Sequence, residues 1–366
     1  MKVCVINSLY SPYHRGGAEV VAAAEARRFK NQGDEVLVIT AGPWAGFGSL
    51  KPRSVMVDGI KVYRFYPLNI FSFININQKP FWLRLPWHLI DLFNIHSYFA
   101  IKGILKKEKP DLVASHNLKG LGYLTWRAIS SLGLKNSHTL HDVQLAVPSG
   151  LLVYGQERRW PVYEALCRCL CGSPTEVISP SKWLLDFYTA KGFFPGSRKT
   201  VKPAFGVLPP VKLLNLKVTG HEVKLLFVGQ IERHKGVIWL VKTLKESRIM
   251  NHESRAGAWQ LEIVGDGSKL EELKSLVAGD ERFKVYGRLE GDKLLEKLKE
   301  ADFTVVSSLV YENSPTIIAS CLQNDIPVIA SAIGGIPEMV KEGVNGYLFQ
   351  PGKAGELEEI LREILG

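Results

Sequence analysis

The residues best placed to do chemistry sit in two glycine-bearing loops. In the first to consider, Gly229-Gln-Ile-Glu-Arg-His-Lys-Gly236, Lys235 stands at the foot of a helical stretch, after a strand-like run and a glycine. A cation at a helix N-terminus opposes the helix dipole, so its presence there calls for a reason. Holding a diphosphate together with the helix N–H groups is one reason; a solvated lysine at a helix start is the plainer alternative. Gly16-Gly17 occupies the matching place near the N-terminus, where two glycines let backbone approach an anion ahead of Ala18 and Glu19. The spacing is not the G-x-G-x-x-G of dinucleotide sites, and a tight turn is the default for the pair taken alone. Cys167, Cys169 and Cys171 form C-x-C-x-C. Zinc sites use C-x2-4-C with a second pair elsewhere, so buried thiols are expected here and a metal is not. His116 and His138 read as satisfied core or loop residues, and Glu338, after a Gly-Gly turn, suits the dipole of a helix start.

These loops need a scaffold, and the flanking sequence supplies one. KVCVIN reads as a strand, and from Ala18 to Asn31 the residues Ala18, Ala22, Ala26 and Phe29 recur on one face of a helix. Gly33 closes that helix, and EVLVIT is a second buried strand. The same unit recurs at VKLLFVG, QIERHKG and VIWLVKTL, after which LEIVG, FKVYG, FTVVSS and PVIAS are short strands between helical stretches. Strands separated by helices imply parallel sheets. The expectation is an α/β protein of two doubly wound domains, residues 1–210 and 211–366, with a linker near Pro209-Pro210 to Val218.

Length agrees: 366 residues make two domains at about 150 residues each. A chain 46% apolar and 22% charged is globular, which excludes extended disorder. Five cysteines, three of them crowded into CRCLC, make a poor disulfide framework, so a reducing compartment is expected. Val3 to Ile6 is too short for a signal segment. The charge-free run FYPLNIFSFININQ falls short of the roughly 20 apolar residues that cross a bilayer. The chain therefore reads as soluble and cytoplasmic.

Charge is uneven. Residues 1–210 carry 26 Lys and Arg against 13 Asp and Glu, a net of +13, while the remainder is −3. An N-terminal half of that sign meets something anionic: nucleic acid, a membrane surface or an acidic substrate. Residues 44–99 hold 13 of the 36 aromatics, among them Trp44, Phe71, Phe73, Phe81, Trp82, Trp87 and Phe99, but only two acidic residues. They are either core-packing aromatics or an amphipathic surface that enters a membrane interface, with Lys79, Arg84, Lys106, Lys107 and Lys109 on headgroups.

The run ADFTVVSSLVYENSPTIIASCLQNDIPVIASAIGGIPEMVKEGVNGYLF is the most specific stretch. With Glu312, Pro327 to Ser331, Gly334-Gly335, Glu338 and Gly343 to Gly346 in place, it resembles the retaining nucleotide-sugar glycosyltransferases of family four, of GT-B architecture. GQIERHKG, Gly16-Gly17, PDLVASHN, HTLHD and VISPSKWL are similar to the family's other landmarks, in order along nearly the whole chain.

The resemblance implies two Rossmann-like domains facing each other across a cleft, with the donor nucleotide on the C-terminal one. It implies that Lys235 neutralises the diphosphate as it leaves, with Gln230 and Arg233 in the same loop, and that the Gly16 and Gly17 amides cap it. Glu312 would bind sugar hydroxyls beside the backbone of Asn313, Ser314, Pro315 and Thr316, and His141 would face the transferring sugar. Three departures stand out. Ser320 replaces the glutamate that binds ribose eight residues after the first, Gln230 replaces a frequent arginine, and the sequence ends at Gly366, where the family usually continues into a helix returning to the N-terminal domain.

The function so implied is sugar transfer from a UDP- or GDP-type donor, a co-substrate, to a polysaccharide, lipopolysaccharide or lipid-linked acceptor. Neither metal, cofactor nor nucleic acid is implied, and peripheral contact with an anionic membrane is expected. Sugar-nucleotide epimerases share the architecture without a matching residue set here. The competing non-enzymatic reading is a degenerate, glycosyltransferase-like scaffold.

Overall fold

The computed structural model describes residues 1–13, 16–203, 213, 214, 216, 218, 222–247 and 259–365. The chain divides into two compact units: Met1–Leu151 with Arg158–Ala204, and Leu152–Glu157 with Phe205–Gly366. The second unit thus takes in Leu152–Glu157 from inside the expected N-terminal domain and resumes at Phe205, ahead of the expected boundary at 210. Much of the expected linker falls outside the described residues. Of those described, Leu216 is buried in the core of the second unit, and Leu214 and Val218 pack against that core.

The first unit runs β1 (Lys2–Ile6), α1 (Gly17–Asn31), β2 (Glu35–Ala41), β3 (Arg53–Val57), β4 (Ile60–Phe65), α2 (Phe81–Leu92) and α3 (Ile95–Glu108). It continues with β5 (Leu112–Ser115), α4 (Leu124–Ser130), β6 (Lys135–Thr139), α5 (Pro161–Cys171), β7 (Glu176–Ser179), α6 (Lys182–Ala190) and β8 (Arg198–Val201). Its eight strands are ordered β3-β4-β2-β1-β5-β6-β7-β8. Only β3 is antiparallel, hairpinned onto β4. β1 and β2 are buried on both faces, which is why they read as unbroken apolar runs without alternation.

Residues 44–99, which interrupt the αβ rhythm, divide in two. Tyr63, Phe65, Tyr66 and Trp87 are buried, and Trp87 donates its indole N–H to the Phe71 carbonyl at 2.8 Å. Trp44, Phe47, Trp82, Phe93 and Phe99 are exposed. On α2 the exposed residues Trp82, Leu85 and Leu89 fall three and four apart and lead to Phe93, one stripe along a helix face.

The second unit runs β9 (Val223–Val228), α7 (Val237–Glu246), β10 (Trp259–Val264), α8 (Leu270–Val277), β11 (Phe283–Gly287) and α9 (Asp292–Glu300). Then come β12 (Phe303–Val306), α10 (Thr316–Gln323), β13 (Val328–Ser331), α11 (Ile336–Met339), β14 (Gly346–Phe349) and α12 (Ala354–Leu365). All six strands are parallel, in the order β11-β10-β9-β12-β13-β14. Alternate residues of β9 face opposite cores. Val223, Leu225 and Phe227 join Leu240, Leu244, Leu357 and Leu361 on one side, while Leu226 joins Ile318, Leu322 and Ala330 on the other. Counted within its unit the strand order is 3-2-1-4-5-6, the Rossmann order, which reverses between β9 and β12. Ligands of open α/β sheets bind beyond the strand C-termini at such a reversal.

Candidate functional site

The loops that leave β9 and β12 meet at that reversal point. After β9 the chain passes Gly229 and Gln230, makes a turn at Arg233–Lys235 and enters α7 at Val237. After β12 it passes Ser307 and Ser308 and enters α10 at Thr316. The two are sewn together: Leu309 N–H donates to His234 O at 2.9 Å, and Ser307 Oγ donates to Lys235 O at 3.3 Å. Gly236 allows the approach, for its φ of +76° and the Ser307 carbonyl against its α-carbon leave no room for a Cβ.

At this seam Lys235 Nζ donates to Glu312 Oε1 at 2.6 Å, and Ser308 Oγ donates to the same oxygen at 2.6 Å. Burial by itself would raise the Glu312 proton affinity. The Lys235 charge and the two hydrogen bonds outweigh it, so the carboxyl is held below its ordinary range and stays ionised. Burial, then Lys235, push His234 down as well, leaving a neutral ring.

Gly334-Gly335 supports this carboxylate from behind. Gly335 N–H donates to Glu312 O at 2.8 Å, and a Cβ on Gly334 (φ +62°) would strike that carbonyl. The glycine pair therefore has a mechanical duty toward Glu312. Asn313 is buried, Ser314 Oγ lies 3.6 Å from Met339 Sδ, and Pro315 caps α10, which opens at Thr316. Ser320 follows Thr316 by four residues and shares its helix face. Gln230 is exposed in the same loop. Arg233 is turned aside: its guanidinium pairs with Glu272 of α8 at 3.3 Å.

The first unit has its own reversal, between β1 and β5. Gly16 caps α1 and Gly17 begins it, but Gly16 N–H already donates to Glu19 Oε2 at 2.9 Å. The open amide expected there is answered by the chain's own carboxylate. His141 lies just past β6 and His116 just past β5, with Nε2 of the former 3.0 Å from Nδ1 of the latter. Burial, then the neighbouring rings of His116 and His138, push His141 well below its ordinary range. His138 is buried on Ser115 Oγ at 3.0 Å and is pushed down to about 3.

Among the described residues no cluster of three or more His, Cys, Asp or Glu side chains could hold a metal ion. Cys167 and Cys171, four apart on α5, are buried, whereas Cys169 is exposed. Alternate residues of a helix point roughly 200° apart, so these thiols do not converge.

The profile of "Glycosyltransferase Family 4" matches residues 15–203, more than half of the sequence. The chain belongs to glycosyltransferase family 4. The profile of "Glycosyl transferases group 1" matches residues 222–366, so the glycosyltransferase match spans both units. This glycosyltransferase is similar to the "Uncharacterized 42.6 kDa protein in cps region" of Klebsiella pneumoniae, with 23% identity over 96% of this chain and 90% of the relative. In fold it is similar to a sucrose-phosphate synthase of Thermosynechococcus elongatus, at TM-score 0.72 and 19% identity over 100% of this chain and 89% of the other. Anabaena HepE, solved in complex with UDP, aligns at TM-score 0.68 and 17% identity over 99% and 89%. The two Rossmann-like units are thus those of a GT-B glycosyltransferase.

Sequence reasoning singled out Lys235 and Glu312 separately and missed that they touch. It also passed over Ser308 and the contact of His116 with His141. A serine four residues before a glutamate carries no signal until the chain is folded.

Proposed function

We propose that this glycosyltransferase moves a sugar, with retention of configuration, from a UDP-type donor to a lipid-linked or polysaccharide acceptor. The observation that carries the donor half is the Lys235–Glu312 pair at the β9/β12 reversal. A cation at the foot of α7 and the amide groups opening α10 suit a diphosphate, while an ionised Glu312 suits sugar hydroxyls as a hydrogen-bond acceptor. The UDP on the similar Anabaena protein supports the choice of nucleotide. His141 is assigned to the transferring sugar, and Ser320 to the ribose in place of a carboxylate.

A nucleotide-sugar already carries its leaving group. Catalysis then consists of stabilising the charge that grows on the diphosphate while holding the acceptor hydroxyl in line. Lys235 supplies the first. In this mechanism the acceptor attacks from the leaving-group face and a donor phosphate oxygen takes its proton. The new glycosidic bond forms as the bond to the diphosphate breaks.

The acceptor class is inferred from the exposed apolar stripe of α2, continued by Ile95 and Phe99 on α3, with Lys106 and Lys107 exposed further along α3. Aromatic and aliphatic side chains beside lysines suit the interface of an anionic membrane, where a lipid-linked acceptor resides. No described helix is long and apolar enough to cross that membrane. Thermal shift with UDP, GDP, ADP and their sugars tests the donor half. UDP compounds are expected to raise the melting temperature, because a ligand of the native state stabilises it. Stabilisation by none of the three nucleotides at millimolar concentration would refute it.

A further inference from the structure

We infer that Leu152–Glu157 is a positioning strap that holds the loop ahead of Glu312 against the Lys235 loop. Its meaning for the reaction rests on reading the Lys235–Glu312 pair as the donor site; its geometry does not. The six residues belong to the second unit, although Leu151 before them and Arg158 after them belong to the first. Val153 pairs antiparallel with Val310, flanked by Tyr154 N–H donating to Leu309 O at 3.0 Å and Tyr311 N–H donating to Leu152 O at 2.9 Å. Leu152 and Val310 are both buried, so the pairing is held by apolar burial as well. Leu309 is bonded on its other side too, its N–H donating to His234 O at 2.9 Å. Strap, loop 308–311 and Lys235 loop are thus bonded in series, main chain to main chain, and Glu312 is the next residue along.

The strap closes in a tight turn. Gln156 N–H donates to Val153 O at 3.1 Å, Gly155 has a φ of +73°, and Tyr154 keeps the ordinary negative φ. That combination is a type II turn, with Tyr154 at the position that proline also fits. One carboxylate oxygen ties the turn to the loop, for Glu157 Oε1 accepts from Gly155 N–H at 2.9 Å and from Tyr311 O–H at 3.0 Å. The bond from Gly155, then those from its own N–H and from Tyr311, hold the Glu157 carboxyl below its ordinary range. Burial, then Glu157, push the Tyr311 hydroxyl up to about 12, so at neutral pH the hydroxyl donates and the carboxylate accepts. Lys235 and Glu312 need this support. Both side chains are partly exposed, so their pair gains modest Coulomb energy and must offset the ordering of two long side chains. A loop already fixed by the strap removes much of that cost and keeps Glu312 on the Lys235 ammonium.

Tyr154→Pro suits the turn yet deletes the N–H that reaches Leu309 O. Tyr154→Ala keeps that N–H and removes the same side chain, with its hydroxyl contact to Gln350. Amide hydrogen exchange of the intact chain, read by mass spectrometry on peptides covering residues 307–312, should be about tenfold faster in Tyr154→Pro than in Tyr154→Ala. Isothermal titration with UDP adds a readout that structural damage would not produce, a gain of affinity. Releasing Glu312 frees Lys235 for the diphosphate, so Tyr154→Pro should bind UDP about two- to threefold more tightly than Tyr154→Ala, with Glu312→Ala measured beside it. Should the proline variant not fold, Glu157→Ala takes its place against Glu157→Gln, which keeps an accepting oxygen. Unchanged exchange in the folded variant overturns the inference. So does faster exchange without tighter UDP binding where Glu312→Ala does tighten it, because the strap would then hold the loop without holding Glu312. If Glu312→Ala itself fails to tighten UDP, the failure lies with the donor reading of the pair, and exchange alone decides the strap.

Discussion

Glu312→Ala should tighten the binding of UDP, although Glu312 belongs to the donor site. With no nucleotide bound, Lys235 Nζ is committed to Glu312 Oε1 at 2.6 Å, with the two side chains 29% and 17% exposed. An arriving diphosphate competes with Glu312 for that ammonium and is repelled by the same carboxylate. At a separation of roughly 8 Å and an effective dielectric of about 20, the repulsion is about 2 kcal/mol before screening. Allowing for salt and for water in the loop, removal of the carboxylate should stabilise the UDP complex by about 1 kcal/mol, roughly a fivefold lower Kd. Lys235→Ala should act in the opposite sense, weakening UDP by about 1.5–3 kcal/mol, the scale of a hydrogen bond to a charged group. Isothermal titration with UDP reads both. The sugar-bearing donor adds a second sign, because Glu312→Ala forfeits the contacts to sugar hydroxyls and so should lose turnover while gaining nucleotide affinity. Weaker UDP binding in both variants would refute the competition, and unchanged binding in both would remove the diphosphate from this loop.

Three further outcomes follow from the structure. Glu108 accepts from Lys2 and Lys61 at 2.7 and 2.6 Å and also from Tyr63. These bonds outweigh its burial and depress it from 4.5 to about 2, so its contribution to stability is present above pH 4.5 and is lost as pH falls toward 2. Glu108→Gln should flatten that part of the acid-unfolding curve, and an unchanged curve would show that the cluster contributes nothing. Gly236→Ala would place a Cβ against the Ser307 carbonyl at a φ of +76°, so it should cost about 2–4 kcal/mol in urea unfolding and loosen the Lys235 loop; a cost near zero would show that the seam yields. Anionic vesicles at low salt should sediment the protein, less so at 1 M salt where the Debye length is about 3 Å. Trp82→Ser with Leu89→Ser, or charge reversal at Lys79, Arg84, Lys106 and Lys107, should abolish that sedimentation, and equal pelleting with neutral vesicles would refute the anionic interface.

The sequence by itself determined the two sheets and the chemistry of one loop. Short apolar runs such as VKLLFV and LEIV, punctuated by glycine and separated by helical periodicity, leave little choice but parallel strands buried on both faces. Lys235 was legible because a cation at a helix start runs against the dipole, and local rules broken in sequence tend to mark function. The hairpin of β3 on β4 was not legible, since the exposed residues Arg53 to Met56 lack the alternation of a half-buried strand. Nor was the split among the aromatics of residues 44–99, because a Trp that is buried at position 87 and one that is exposed at 82 are the same letter until the helix is docked. Tertiary structure alone decided the contacts that make the site: Lys235 with Glu312, 77 residues apart, and His116 with His141. The physical reason is common to both. Hydrogen bonds and ion pairs act over about 3 Å, and only the strand order brings the loops after β9 and β12, or those after β5 and β6, within that reach.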